Sequence, residues 1–393
     1  MTKRLPQLAD IHDCTGCMAC VDSCAQKALN SYRGDDGHLY VRLNEDKCVG
    51  CLKCEKVCKG RDLYQGNNDL KESSPFAAWT SDSVLRSRST SGGVFAAVAK
   101  KILQDGGVVV GSSFDGRYAK HIVIEKYEDL KNLQGSKYVQ SNTEGVFNEI
   151  KKYLPERKVL FSGVGCQVAA VLSYFANSSH KDNLFTMDLI CGGVPSDLLM
   201  VKYFEMKKGL DAISSFRTKR KYELRGIIDG KENVLGRGAL PLAGFAAELT
   251  NRFSCYDCQY AYAHRKCDIT IGDLWGNVGF GEERENGLSL AIAHNERGLL
   301  LLKESNLNVH PIKWRDFLPY NGRLVIGKAP IPYLRKTLAR NACKMTSATF
   351  AEVYSTAIGI IHPILFMERC FRALSDRAFK HSKDKIIRKL ISR

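Results

Sequence analysis

A chain of 393 residues is long enough for two or three domains with ample core, and its 58 Lys and Arg against 42 Asp and Glu leave a formal net charge of +16. Residues 1–70 hold ten of each sign, so the basic surplus lies wholly beyond them and suits an anionic cofactor, an acidic partner or a membrane surface; no basic patch interleaved with aromatics argues for nucleic acid, which is set aside. Fifteen cysteines are too many for idle thiols in one reducing-compartment chain, so most are expected to bind metal. The opening stretch MTKRLPQLADIHD has no apolar h-region, and the expectation is a cytoplasmic protein without a secretory signal.

From Cys14 the chain reads almost as a formula. Cys14, Cys17, Cys20 and Cys24, then Cys48, Cys51, Cys54 and Cys58, repeat the C-x2-C-x2-C-x3-C spacing of bacterial ferredoxins. Three closely spaced thiolates can hold three corners of one iron–sulfur cube, while the x3 step carries the fourth sulfur round to the other cube. Cys14, Cys17, Cys20 and Cys58 are therefore expected to hold one [4Fe-4S] centre, and Cys48, Cys51, Cys54 and Cys24 the second. Zinc sites or a disulfide framework would not explain two identical runs. The residue after the fourth Cys, usually Pro, is Ala25 in one run and Lys59 in the other, which loosens a turn without removing a ligand. The expected unit is a small α+β ferredoxin domain over residues 1–65.

The polar, turn-rich stretch 60–75 reads as the way out of that domain, with 66–78 as linker. From residue 76 apolar strands alternate with amphipathic helices, the pattern of an α/β domain, here bounded at 79–330. Ser91, Gly92 and Gly93 precede a helix over 94–104, stopped by Gly106-Gly107; strands are predicted at 108–112 and 121–127, a helix at 144–154, a strand at 159–162 and a helix at 168–175. Residues 163–167 then form a strand-to-helix loop, the place where open α/β sheets bind ligands. A buried strand over 184–190 ends at Cys191, Ser196 caps the next helix, 240–253 is helical, and strands at 268–271, 288–293 and 299–303 complete the sheet.

Residues 331–393 read as a helical basic extension. From 363 onward nine Lys and Arg face three Asp and Glu, with Phe366, Phe371, Leu374, Phe379, Ile386, Ile387 and Leu390 at roughly helical spacing. Such a helix suits either peripheral contact with an anionic membrane or packing against the domain. The apolar run 357–367 is interrupted by His362-Pro363 and is too short to span a bilayer.

Four further cysteines sit where chemistry would want them: Cys166 in a glycine-rich loop, Cys191 at a strand end, and Cys255 and Cys258 in a C-x2-C. They could converge on a third [4Fe-4S] cluster. Cys255, Cys258, His264 and Cys267 form an equally plausible local zinc set. Cys343 and Cys370 read as ordinary buried thiols.

Six motifs occur in order: Ser91-Gly92-Gly93, the run 135–141 (GSKYVQS), Gly165-Cys166-Gln167, Asp188-Leu189-Ile190-Cys191, Cys255-x2-Cys258, and the run 268–276 (DITIGDLWG). Together they resemble the beta subunit of the coenzyme F-420 hydrogenase/dehydrogenase family, fused to a two-cluster ferredoxin domain. The resemblance implies an α/β domain that binds FAD and a [4Fe-4S] cluster, with ligands falling on Cys166, Cys191, Cys255 and Cys258. It further implies an oxidoreductase passing electrons between the deazaflavin coenzyme F-420 and iron–sulfur carriers. Gly163-Val164-Gly165-Cys166 stands where the family usually has Gly-Thr-Pro-Cys, and Gly192 where many members have His or another polar residue, departures that bear on substrate identity.

Physical logic supports a flavin as well. Hydride carriers deliver two electrons together and clusters accept one at a time, so a flavin must stand between them. Its pyrophosphate needs backbone N–H donors at a helix start, which Ser91, Gly92 and Gly93 offer, though the same residues also serve as a plain N-cap. Lys137 is the candidate for neutralising flavin or substrate anions, Tyr138 for stacking on the ring, and Gln140 and Asn142 for hydrogen-bonding it; Arg86 and Arg88 are phosphate candidates. The expected partners are a hydride-carrying cofactor and a ferredoxin or other electron-transfer protein. The alternatives are a ferredoxin-fed flavin reductase of a metabolite in polysaccharide biosynthesis and a non-catalytic electron-transfer subunit.

Overall fold

The computed structural model describes residues 3–58, 66–219, 221–236, 239–276, 278–325, 333–346, 349 and 383–392. In the arm, β1 (Leu29–Arg33) and β2 (Leu39–Leu43) form an antiparallel pair with Tyr32 opposite Tyr40. Two short helices, Ala19–Asp22 and Lys53–Val57, each follow a left-handed residue, Met18 (φ 55) and Leu52 (φ 60). Gly16 (φ 68) and Gly50 (φ 69) occupy the matching places between the first two cysteines of each run. The sequence repeat is thus a backbone repeat. Each loop curls back on itself, as a chain must to turn several thiols toward one point.

The body begins with β3 (Ser74–Thr80), which starts inside the stretch read as linker. It continues through β4 (Val108–Phe114), β5 (Ala119–Ile124), β6 (Ser141–Asn142), β7 (Val159–Val164) and β8 (Leu184–Leu189). Next come β9 (Leu210–Arg217), β10 (Tyr222–Ile228), β11 (Lys231–Gly236), β12 (Ile269–Asp273), β13 (Ser289–Ala293) and β14 (Leu307–Pro311). Nine of these form one mixed sheet, in the order β14-β3-β13-β12-β8-β7-β4-β5-β6, and β11-β10-β9 form a small antiparallel sheet. The run β12, β8, β7, β4 is parallel, which aligns its carboxyl ends along one edge.

Successive strand residues face opposite sides, and the core divides accordingly. Val109, Leu160 and Met187 pack on one face with Val98 and Ile102 of the helix Val94–Gln104 and Leu302 of the helix Glu296–Glu304. Val108, Val110 and Phe161 pack on the other with Phe147, Ile150 and Val171 from the helices Val146–Tyr153 and Gly165–Tyr174. Ala19, Cys17 and Val57 of the arm join this second core, so the arm is seated on the body.

Three expectations change. Residues 299–303 are helix, not strand: the Asn295 side chain accepts the Gly298 N–H at 2.8 Å, capping the helix Glu296–Glu304, and Leu301 and Leu302 are buried while Leu300 is exposed. The helix expected over 240–253 spans Leu240–Ala247, because Glu248 turns left-handed (φ 61). The loop expected at 163–167 does not exist; β7 runs to Val164 and the helix opens at Gly165. In the tail, Ile387 is buried with Phe317 and Leu324, whereas Phe366, Cys370, Phe371, Leu374, Phe379 and the run 357–367 lie outside the described residues. No helix among the described residues is long and apolar enough to cross a membrane.

Candidate functional site

The arm's eight cysteines divide into two groups. Burial pushes the Cys17 thiol up to about 11, with smaller raising contributions from Cys14 and Cys58. Cys20 is raised by burial and then by Cys17, Cys58, Cys14 and Cys54. A separate cavity of about 140 Å³ is lined by Cys24, Cys48, Cys51 and Cys54. Cys54 is raised by burial, with Cys24 and Cys51 adding to it. By these contacts Cys17 and Cys20 lie near Cys14 and Cys58, Cys54 lies near Cys24 and Cys51, and Cys20 also feels Cys54. Backbone N–H groups of Ala9, Ala28 and Gly50 point at Cys58, Cys24 and Cys48 sulfurs, at 3.4, 3.2 and 3.4 Å.

Cys166 sits in the first turn of the helix Gly165–Tyr174. Its thiol is raised well above the usual range by burial, then by Cys191, Cys255, Cys258 and Cys17 in turn. These four body cysteines thus converge, and they do so beside Cys17 of the arm. The Gly193 N–H donates to the Cys191 sulfur at 3.2 Å. The zinc set does not assemble. His264 Nδ1 meets Ser73 Oγ at 2.9 Å and its Nε2 lies 3.5 Å from Glu72, while buried Cys267 contacts Ile269 O and Thr270 Oγ1 at 3.5 and 3.6 Å. Among the described residues no three His, Cys, Asp or Glu side chains are grouped to hold a single metal ion.

A cavity of about 900 Å³ opens along the carboxyl ends of β4, β7, β8 and β12, and Cys166 and Cys191 form part of its wall. Thr15 and Gly16 of the arm also line it. At one end stands the helix Val94–Gln104, whose N-terminus has no side-chain cap and presents left-handed Gly93 (φ 82) and Val94 to the cavity. Gly92 is not in the wall. Its N–H donates to Ser289 Oγ at 2.9 Å, and a Cβ there would run into Ala78 O, so glycine is needed for close packing. Ser91 lines the cavity and its hydroxyl donates to Leu288 O at 2.9 Å.

Lys137, Tyr138 and Gln140 all line the cavity but differ in commitment. Lys137 Nζ donates to Leu133 O and Gln134 O, both at 2.9 Å, and burial holds it down to about 7. Tyr138 already stacks on Phe245, with centroids 4.4 Å apart. Gln140 Oε1 accepts the Leu39 N–H at 3.2 Å, so it is occupied in seating the arm. Asn142 Oδ1 accepts the Glu144 N–H at 3.0 Å. Arg86 is held away from the cavity by Glu283 at 2.5 Å and Gly287 O at 2.8 Å.

Two lining residues escaped the sequence reading. Arg217, 6% exposed in its side chain, pairs with Asp273 at 2.5 Å and donates to Thr90 O at 3.2 Å. His121 bridges Ser141 Oγ and Ser162 O at 2.8 and 3.1 Å, and burial holds it down to about 4. The only sequence signal for Arg217 was its partner Asp273, inside a motif whose carboxylate had no visible cation.

The family described as coenzyme F420 hydrogenase/dehydrogenase, beta subunit, matches twice: its N-terminal part over residues 75–148 and its C-terminal part over residues 156–313. The chain belongs to this family. A 4Fe-4S dicluster domain matches residues 13–60, so the family body here carries an iron–sulfur arm. The chain is similar to one of the subunits of the F(420)H(2) dehydrogenase of Methanosarcina mazei, 26% identical over 200 residues, or 47% of this chain. It spans 56% of that relative's length. It is also similar to a chain of the F420-reducing [NiFe] hydrogenase complex from Methanosarcina barkeri, solved in a xenon derivative. There the identity is 17%, coverage is 61% of this chain and 82% of that one, and the TM-score is 0.46.

Proposed function

We propose that the protein is an iron–sulfur flavoprotein oxidoreductase. It passes electrons between a deazaflavin hydride carrier such as coenzyme F-420, FAD in the large cavity, three [4Fe-4S] clusters and a ferredoxin-type partner. The observation that carries this reading is continuity: one cavity reaches from the open helix N-terminus at Gly93 to Cys166 and Cys191, and that cysteine group abuts Cys17 of the arm.

The cavity fits a dinucleotide flavin. Its volume lies at the upper end for cofactor sites. Gly93 and Val94 offer backbone N–H donors, Arg217 offers a cation to an anionic ligand, and Lys137 adds a second one only below about pH 7. Ser112 Oγ and Gln134 Oε1, from two residues of the same wall, are buried without a hydrogen-bond partner among the described residues. The thiol donor set suits iron–sulfur clusters better than a single hard ion. When bound, FAD supplies the exchange between paired and single electrons that a hydride carrier and clusters require.

The chain's own residues do the rest. The Arg217–Asp273 pair fixes a cation at the wall, and Trp275, half exposed at the cavity, gives an aromatic face to a planar substrate. Thr15 and Gly16 close the wall from the arm side, which keeps the ligand next to the cluster loops.

The test is the cofactor content and turnover of protein kept free of oxygen. The expected result is bound flavin, about twelve irons per chain, and either oxidation of reduced F-420 or its formation from the oxidised coenzyme. Protein without flavin would leave only an electron-transfer subunit, and turnover with reduced ferredoxin and a metabolite but never with F-420 would sink the deazaflavin assignment.

A further inference from the structure

Arg252 is the bulkiest fully buried side chain among the described residues, 1% exposed. Its Nη2 donates to Leu39 O and its guanidinium lies 4.5 Å over the Tyr40 ring, but Nε and Nη1 find no acceptor. Asp197 lies within electrostatic reach but pairs directly with Arg33, and Asp36 accepts the Tyr40 hydroxyl at 2.7 Å, so neither hydrogen-bonds the free Arg252 nitrogens. A guanidinium cannot shed its proton, so burying it with two nitrogens unsatisfied and one shared carboxylate nearby is unfavourable. The fold nevertheless holds it there.

Its surroundings point to further negative charge. The Arg252 N–H donates to Val194 O at 2.9 Å, just past Cys191, and its carbonyl accepts the Cys255 N–H at 3.0 Å. The side chain then reaches across the arm interface and packs on Gly16, between Cys14 and Cys17, leaving no room for a Cβ. One residue therefore touches the loops that carry Cys191, Cys255 and the first two cysteines of the arm. A [4Fe-4S] centre with four thiolates carries about −2 when oxidised and one charge more when reduced.

Resting on the reading proposed above, we infer that Arg252 is a positioning residue. Its guanidinium is the buried counter-charge of the two centres held by Cys14/Cys17/Cys20/Cys58 and by Cys166/Cys191/Cys255/Cys258, tying their loops together and raising both reduction potentials. A fixed cation stabilises the more negative, reduced state, so its removal lowers the potentials. The outer Cys24/Cys48/Cys51/Cys54 centre has none of these contacts with Arg252 and serves as internal reference.

The experiment compares full-length wild type, Arg252→Lys and Arg252→Met after anaerobic cluster loading, reading iron per chain and the midpoint of each centre by EPR-monitored titration. Arg252→Met is expected to move two midpoints to more negative values while the third stays, and Arg252→Lys to remain near wild type. Full iron with unmoved midpoints in Arg252→Met would overturn the inference, as would equal shifts in both variants, which would indicate packing and not charge. If Arg252→Met does not retain iron, Arg252→Lys decides: retention at wild-type midpoints supports a charge role, and loss there too overturns it. Wild type with only about eight irons would instead sink the third centre itself, and is read first.

Discussion

On the proposed reading, Cys166 is the residue on which the body's chemistry turns. Its thiol is buried beside three other body thiols, which favours the neutral form, so a thiolate there calls for a compensating positive charge such as iron. Replacing Cys166 by Ala should therefore lower iron from about twelve to about eight per chain while both arm signals persist in the EPR spectrum. Lys137 gives a different signature. Burial holds its ammonium down to about 7. From about pH 7 to about pH 10 the unfolded chain binds a proton there that the folded chain does not, so stability rises with pH across that window; below it both states are charged and the penalty is constant. Lys137→Met should flatten the rise, as read by denaturant melts of flavin-depleted protein. The arm's dicluster pattern was legible at this scale because cysteine spacing is a local property. Arg217 was not, because its pairing with Asp273 joins β9 to β12 across the fold.

Among the elements, the helix Val94–Gln104 was readable to its last residue, since Gly93 and Gly106-Gly107 punctuate it and its buried side recurs at helical spacing. The helix Glu296–Glu304 was not. Its run of leucines at 299–302 has the look of a short buried strand, and only the Asn295 cap, settled by tertiary packing, decides for helix. The start at Gly165 was missed because Gly163 and Gly165 signal a loop, whereas here Gly165 packs against Tyr260 and the Asp188–Arg265 ion pair. Packing also explains Gly92, which the sequence nominated for phosphate binding. A methyl group there would meet Ala78 O and approach Ser289 N to 2.8 Å, two backbone groups of the sheet that cannot swing aside. Gly92→Ala is thus expected to cost about 1–3 kcal/mol of stability, seen as a lowered melting temperature even without flavin.

At the scale of the whole molecule, the arm is fastened to the body at many points around the cysteine loops. The Asp22 carboxylate accepts the Gly145 and Phe147 N–H groups at 2.8 and 3.0 Å, capping the helix Val146–Tyr153 from the outside, and Thr143 Oγ1 donates to Cys17 O at 2.9 Å. This seating fixes an order: cavity, body cysteines, the Cys17 group and then the Cys54 group, with Cys51 exposed to solvent. If electrons follow that order, the outer centre is the exit and the cavity the entrance. Cys51→Ala should then let a hydride donor still reduce the flavin and the inner centres in a single turnover, while reduction of an external ferredoxin-type carrier falls to background. Protease resistance of the arm and about eight remaining irons would show that the seating survives. Undiminished transfer to the external carrier in that variant would mean that electrons leave from the cavity side, and the arm would have to be read as an entrance or a store.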